Sequence, residues 1–203
     1  MRVVLATRNA HKVGELRRIL GGLDGARDLE VVGLPDDAPD VVEDGVTFAE
    51  NALLKARSAA TATGLPAIAD DSGISVDVLG GAPGVFSARW AGTHGDDAAN
   101  LALLLAQLGD VPDAHRGARF VCAAALALPA GPEHVVIGEM TGRLTREPFG
   151  GGGFGYDPIF VADGGRRTNA ELSAEEKDAI SHRGKAFREL AAQLPELLAA
   201  TGA

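Results

Sequence analysis

The sequence predicts an α/β fold. Three observations point there. Short apolar runs alternate along the chain with segments whose apolar residues recur at helical spacing, the pattern of strands and helices in turn. Two of the helical segments open on a Thr or Ser followed three residues later by Glu, the signature of a capping box. No apolar run approaches the roughly 18 residues that a membrane span needs.

The elements follow in order. Arg2–Ala6 reads as a buried strand, and the polar turn Thr7–Lys12 follows it. Val13, Leu16, Ile19 and Leu20 fall on one helical face, which Gly21-Gly22 ends. Glu30–Leu34 is a second strand, and an acidic loop with Asp36, Asp37, Asp40, Glu43 and Asp44 comes next. Thr47 and Glu50 open a helix that runs to about Thr63 and stops at Gly64. Pro66–Asp70 is a short buried strand, Asp71-Ser72-Gly73 has the composition of a turn, and Ile74–Leu79 is a candidate further strand. Gly80–Thr93 is loop-like. Asp96–Leu108 is a helix. Arg119–Leu128 and Val135–Thr145 have strand character and are expected to pair as a hairpin. A glycine-rich loop, Gly150–Gly155, leads through Tyr156-Asp157-Pro158 into a short strand, Ile159–Val161. Ser173 and Glu176 open a short helix, and Ser181 is placed to cap the last one, with Phe187, Leu190 and Leu194 on one side.

Composition narrows the function. The 203 residues carry 19 basic and 28 acidic side chains, a net charge of −9, which makes long nucleic acid a poor partner. A small phosphorylated ligand is compatible with that balance, because local clusters decide it. The single Cys122 allows no intrachain disulfide. Met1–Leu5 goes straight into a strand-like run, so neither a signal peptide nor a membrane anchor is expected and a cytoplasmic location is.

Five stretches carry candidate chemistry. A polar loop between a strand and a helix points backbone N–H groups at one spot where anions bind. Thr7, Asn9 and Lys12 add side-chain donors there, although an ordinary helix cap would look the same. Asp70 and Asp71, at the end of a buried strand, are costly to desolvate unless a cation meets them. Mg²⁺ takes oxygen ligands and substrate phosphates, but Asp, Ser and Gly together also make a plain turn. Glu43 offers a second carboxylate from a loop that reads equally as a solvated one. Asn51 and Lys55 lie one helical turn apart on one face of the helix that follows. In Gly150–Pro158 the glycines admit close backbone approach, Phe154 offers a stacking face for a base, and Asp157 accepts from a ring N–H. Lys177, His182 and Arg183 supply donors, and a cation at a helix start, as Arg183 is, calls for a partner elsewhere. No His/Cys metal spacing and no nucleophilic triad is present. A nucleoside triphosphate bound with Mg²⁺ would satisfy a phosphate loop, a carboxylate site, a base platform and a donor cluster together. A nucleotide-sensing module and a pyrophosphatase of other base preference are the alternatives.

The ordered set resembles the inosine/xanthosine triphosphate pyrophosphatase family, which hydrolyses non-canonical purine nucleotides. The matching stretches are Thr7–Lys12, Phe48–Ala52, Ala69–Gly73, Gly80–Arg89, Phe154–Pro158 and Ser181–Arg183. The resemblance implies one pyrophosphatase domain over residues 1–203, a long curved mixed sheet flanked by helices, and two lobes with a central active-site cleft. It also implies a homodimer, Mg²⁺, and cleavage of ITP, dITP or XTP to monophosphate and pyrophosphate. By position, Thr7, Arg8, Asn9, Ala10, His11 and Lys12 would hold the triphosphate. Asp71 would be the catalytic carboxylate and a metal ligand, with Glu43 as the second ligand. Ser72 would touch substrate. Phe154 would stack on the purine, with Gly155, Tyr156 and Asp157 completing the pocket. Lys177, His182 and Arg183 would bind the base edge or phosphates. Arg8 stands where the family commonly has glycine and would add a charge near the phosphates.

Overall fold

The computed structural model describes residues 2–8, 30–129 and 131–199. The helix expected over residues 13–20 and the phosphate-loop residues Asn9, Ala10, His11 and Lys12 lie outside them. Six strands form one mixed sheet: β1 (Arg2–Leu5), β2 (Glu30–Gly33), β3 (Ala67–Val76), β4 (Gly117–Ala127), β5 (Glu133–Leu144) and β6 (Phe160–Ala162), in the order β2-β1-β3-β4-β5-β6. β1 pairs in parallel with β2 and β3, with Val4 opposite Val32 and Leu5 opposite Ile68, and β5 pairs antiparallel with β6. The described helices are α1 (Phe48–Thr63), α2 (Asp97–Gln107), α3 (Ala174–Ile180) and α4 (His182–Ala199). Among the described residues no helix is long and apolar enough to cross a membrane.

The chain divides into two compact units. The first comprises Met1–Asp71, Cys122–Gly138 and Arg183–Ala203, the second Ser72–Val121 and Glu139–His182. In the first unit, strand alternation sorts the core into two layers. Val3, Leu5, Ile68, Cys122, Ala124 and Leu126 point to one face and pack against Phe187, Leu190 and Leu194 of α4. Val4, Ala67, Ala69, Ala123, Ala125 and Ala127 point to the other, against Ala52, Ala56, Ala59 and Ala60 of α1. β4 is therefore apolar at every position from Cys122 to Ala127, where both its faces are covered. Alanines on both sides of the second layer let α1 lie close to the sheet. That closeness matters because α1 carries two side chains of the site.

The second unit packs α2, through Leu104 and Leu108, against Ile74, Val76, Phe120, Met140 and Phe160. Arg116 is enclosed there. Its guanidinium donates to the carbonyls of Leu144 (3.0 Å), Leu108 (2.7 Å) and Thr145 (2.7 Å), tying the end of α2 to the end of β5. Burial lowers its pKa, yet an arginine stays charged.

One expectation is corrected. The strand at 66–70, the turn at 71–73 and the strand from 74 are a single ten-residue strand, β3, and residues 77–79 turn away as one 3₁₀ turn. Asp-Ser-Gly has turn composition, but packing overrides that preference. Gly73 is in the strand because nothing larger fits: a Cβ there would lie 2.3 Å from Ser87 Oγ and 2.6 Å from the Gly84 carbonyl. Ser87 Oγ accepts from Ile74 N (2.9 Å) and donates to Gly84 O (2.6 Å), fastening the 84–89 segment to the strand.

Candidate active site

The first cluster is built on β3 and α1. Because β3 is extended, adjacent residues point to opposite faces, and the Asp70-Asp71 pair is split. Asp70 Oδ2 accepts from Arg183 Nε at 3.4 Å, both side chains being buried. The partner expected of Arg183 is thus a carboxylate 113 residues away. Asp71 faces α1. Its Oδ1 accepts from Lys55 Nζ at 3.0 Å and its Oδ2 from Asn51 Nδ2 at 3.4 Å. Lys55 Nζ also lies 3.3 Å from Glu43 Oε2.

The local sequence sets this up. Thr47 Oγ1 accepts from Glu50 N while Glu50 Oε2 accepts from the Thr47 and Val46 amides, so α1 starts at a fixed residue. Asn51 and Lys55 then project from one face, one turn apart. Asn51 Oδ1 also accepts from Gly45 N (2.8 Å), where a Cβ would come within 2.6 Å of that oxygen. This bond anchors the end of the acidic loop two residues after Glu43. At the loop's other end Arg8 pairs with Asp40 and donates to the Ala38 carbonyl at 2.5 Å. Arg8, expected beside the phosphates, thus also ties the acidic loop to the end of β1.

Burial opposes the charge on Lys55, but the carboxylates of Asp71, Asp70 and Glu43 outweigh it and hold the ammonium above its ordinary value of 10.5. With the folded value raised, the pairing is fully present below about 10.5 and is lost only as pH rises through the folded value. Lys55 is therefore charged at neutral pH. Two carboxylates from different segments converge on one cation. Among the described residues no three His, Cys, Asp or Glu side chains are grouped to hold a metal. The donor set offered is two carboxylates, Asp71 and Glu43, which fits Mg²⁺, an ion usually held by one or two carboxylates and completed by water and phosphate oxygens.

The second cluster is built on the glycine-rich loop, the Thr168–Glu171 segment and α3. Asp157, only 3 % exposed, accepts on Oδ2 from Phe154 N (2.9 Å) and Lys177 Nζ (2.7 Å), and on Oδ1 from Asn169 Nδ2 (3.2 Å). Lys177 Nζ sits 5.0 Å from the centroid of the Phe154 ring, a cation–π contact. Gly153, at φ +69°, is required: a Cβ would lie 2.2 Å from Asp157 Oδ2. Gly152 N donates to Ala170 O (2.9 Å) and Thr168 Oγ1 to Phe149 O (2.7 Å), so the loop is held by two further bonds. Ser173 and Glu176 cap α3 reciprocally, which places Lys177 in the next turn.

The structure thus brings together Phe154, Asp157 and Lys177 in one cluster, and Glu43 and Asp71 in the other. Three further expected pocket residues make the following contacts. Tyr156 has its ring in the apolar core, and its hydroxyl donates to Ser87 O at 2.8 Å. Burial, and then the charge of Asp97, push that hydroxyl's pKa well up. His182 is buried, stacked on Phe120 at 4.9 Å between centroids. Arg183 is on Asp70. Thr7, two residues after β1, and Ser72, inside β3, are half-buried. Asn51, Lys55, Asp97 and Asn169 belong to the two clusters without having been assigned a role. For the first two, the i,i+4 spacing beside the acidic loop was the available signal. For the others there was none.

The Ham1 family model matches residues 3–193. The chain belongs to the Ham1 family. Curated relatives of this Ham1 chain include the dITP/XTP pyrophosphatase of Streptomyces avermitilis, 65 % identical over 97 % of this chain and 98 % of that protein. That of Frankia alni is 62 % identical over 98 % and 99 %. Among solved structures, a HAM1 protein from Coxiella burnetii superposes with TM-score 0.87 at 43 % identity, covering 97 % of this chain and 99 % of that one. A nucleoside-triphosphatase / dITP/XTP pyrophosphatase from Mycobacterium abscessus gives 0.77 at 54 %, covering 94 % and 98 %. The mixed α/β sheet and the ordered motifs thus belong to one Ham1 chain.

Proposed function

We propose that this Ham1 protein hydrolyses the non-canonical purine nucleoside triphosphates ITP, dITP and XTP to monophosphate and pyrophosphate, removing them before they enter DNA or RNA. The observation that carries this reading is the convergence of Glu43 and Asp71 on Lys55, in a chain 65 % identical to a dITP/XTP pyrophosphatase over nearly its full length. A nucleoside triphosphate has two ends of different chemistry, and the chain has one cluster for each. Residues 1–203 act as a single pyrophosphatase domain. The homodimer and the cytoplasmic location rest on the family resemblance.

Asp71 and Glu43 would hold Mg²⁺, which when bound neutralises phosphate charge and polarises the scissile anhydride. Asp71 takes the proton of the water that attacks the α-phosphorus, Asn51 and Lys55 fixing the direction of its carboxylate. The bond from the α-phosphorus to its bridging oxygen breaks, and that oxygen leaves with the pyrophosphate. Lys55 supplies a fixed positive charge beside the two carboxylates. Thr7, Arg8, Asn9, Ala10, His11 and Lys12 hold the triphosphate, with Arg8 acting through the acidic loop, and Ser72 touches substrate. Positioning and charge stabilisation do most of the catalysis in phosphoryl chemistry.

At the other end Phe154 stacks on the purine, and Gly155, Tyr156 and Asp157 complete the pocket. Lys177, His182 and Arg183 serve the base edge and the phosphates. Hypoxanthine and xanthine present an O6 acceptor where adenine presents an amino donor, so a cationic donor facing that position discriminates against adenine.

The products test the reaction. ITP incubated with and without Mg²⁺ is expected to give IMP and pyrophosphate in equal amounts, only with the metal. IDP and orthophosphate, or equal rates in EDTA, contradict it.

A further inference from the structure

We infer that Asp97 is a positioning residue for base recognition: it fixes the backbone that aims the Phe154 ring. This rests on the functional reading above and extends it to a residue outside the recognised motifs.

Phe154 Cα stands between two peptide groups, and each has its N–H held by a carboxylate. The amide of Phe154 donates to Asp157 Oδ2 at 2.9 Å, a bond made within the loop. The amide of Gly155 donates to Asp97 Oδ2 at 2.8 Å, 58 residues away in sequence. Holding both peptides fixes φ and ψ of Phe154 and so the direction of its side chain. Gly155, at φ +59°, is in the left-handed region, and this bond from another element restrains its amide.

Asp97 begins α2, where a negative side chain is favourable for the helix in any case. That role does not account for its direction. The capping of α2 is done by the residue before it: Asp96 Oδ1 accepts from Ala99 N at 3.0 Å. Asp97 adds nothing to the cap and turns to the loop instead. Two neighbours complete the arrangement. Asn100, on the same helix, binds Ala91 N (2.7 Å) and Ala88 O (3.1 Å) through its side chain. The Tyr156 hydroxyl binds Ser87 O. The segment 87–91 thus connects α2 to the same loop by a second route, which keeps α2 in place when the Asp97 bond is removed. A loop held in its binding conformation has less freedom to lose when a ligand stacks on it.

The test compares Asp97→Ala with Asp97→Asn. The amide of the second variant still offers an oxygen to Gly155 N–H. Asp97→Ala is expected to raise KM for ITP about tenfold with kcat little changed, and Asp97→Asn to restore most of the loss. Inhibition by inorganic tripolyphosphate, which has no base, is expected to be the same in wild type and both variants. An unchanged KM in Asp97→Ala overturns the assignment. So does weaker tripolyphosphate inhibition in step with KM, which is a general structural effect, and so does Asp97→Asn behaving like Asp97→Ala. Wild-type turnover of ITP in the same assay separates the two levels. Its absence overturns the functional reading, and the inference with it, whereas an active wild type matched by Asp97→Ala overturns the inference alone.

Discussion

Replacing Asp71 by Asn is expected to lower kcat on ITP about a thousandfold, with nucleotide affinity changed only a few-fold. The side chain keeps its size and one carbonyl oxygen, so the strand and the contact with Asn51 survive. What is lost is the charge that pairs with Lys55 at 3.0 Å and the capacity to take a proton. On the proposed reading, most of the nucleotide's binding groups belong to the Thr7–Lys12 stretch and to the Phe154 cluster. Steady-state kinetics with ITP, together with calorimetric titration of the nucleotide, reads the two effects separately. A wild-type kcat in this variant removes Asp71 from the mechanism.

Lys177→Met is expected to have the second largest effect, and on two quantities at once. Lys177 is 8 % exposed and Asp157 is 3 % exposed, so the pair is desolvated. Removing one member of a buried ion pair costs about 3–5 kcal/mol, because the remaining charge is left without compensation. Among the described residues Asp157 would retain Phe154 N and Asn169 Nδ2 as donors. The same change strips the cation from the Phe154 face. Stability and base recognition therefore both fall, and the double variant separates them. Adding Asp157→Asn removes the orphaned charge, so the melting temperature is expected to recover most of its loss while kcat/KM on ITP stays low. Recovery of both together makes Lys177 a structural residue. Recovery of neither means that the loop's geometry depends on the ion pair itself.

Much of this was legible before the structure. Both capping boxes are local devices, and both open helices at the expected residues. The spacing of Asn51 and Lys55 put them on one face because helical geometry does, and both reach Asp71. The glycine loop's aromatic and carboxylate, Phe154 and Asp157, stand three residues apart and share a cluster. Other features were hidden because they depend on contacts between distant segments. The turn expected at Asp71-Ser72-Gly73 is strand because Ser87 and Gly84 close over Gly73. Asp70 and Asp71 look like one acidic pair in sequence, but strand alternation gives them to Arg183 and Lys55. Tyr156 sat in the middle of a recognition motif, yet its ring is core and its hydroxyl is bound to Ser87. Arg8 read as a phosphate contact because of its place in the first loop, and its partners Ala38 and Asp40 lie some 30 residues on. Nothing local marks Asp97 apart from its neighbour Asp96.

The measurement that bears most directly on the central claim is pyrophosphate release from ITP, XTP, dITP, GTP and ATP, each at one concentration with saturating Mg²⁺. Rapid release from the first three, with GTP and ATP far behind, is the expected result and ties the carboxylate chemistry to the base cluster in one experiment. Equal release from all five would contradict the role given to Phe154, Asp157 and Lys177, and no release from any would contradict the assignment of hydrolysis to Asp71.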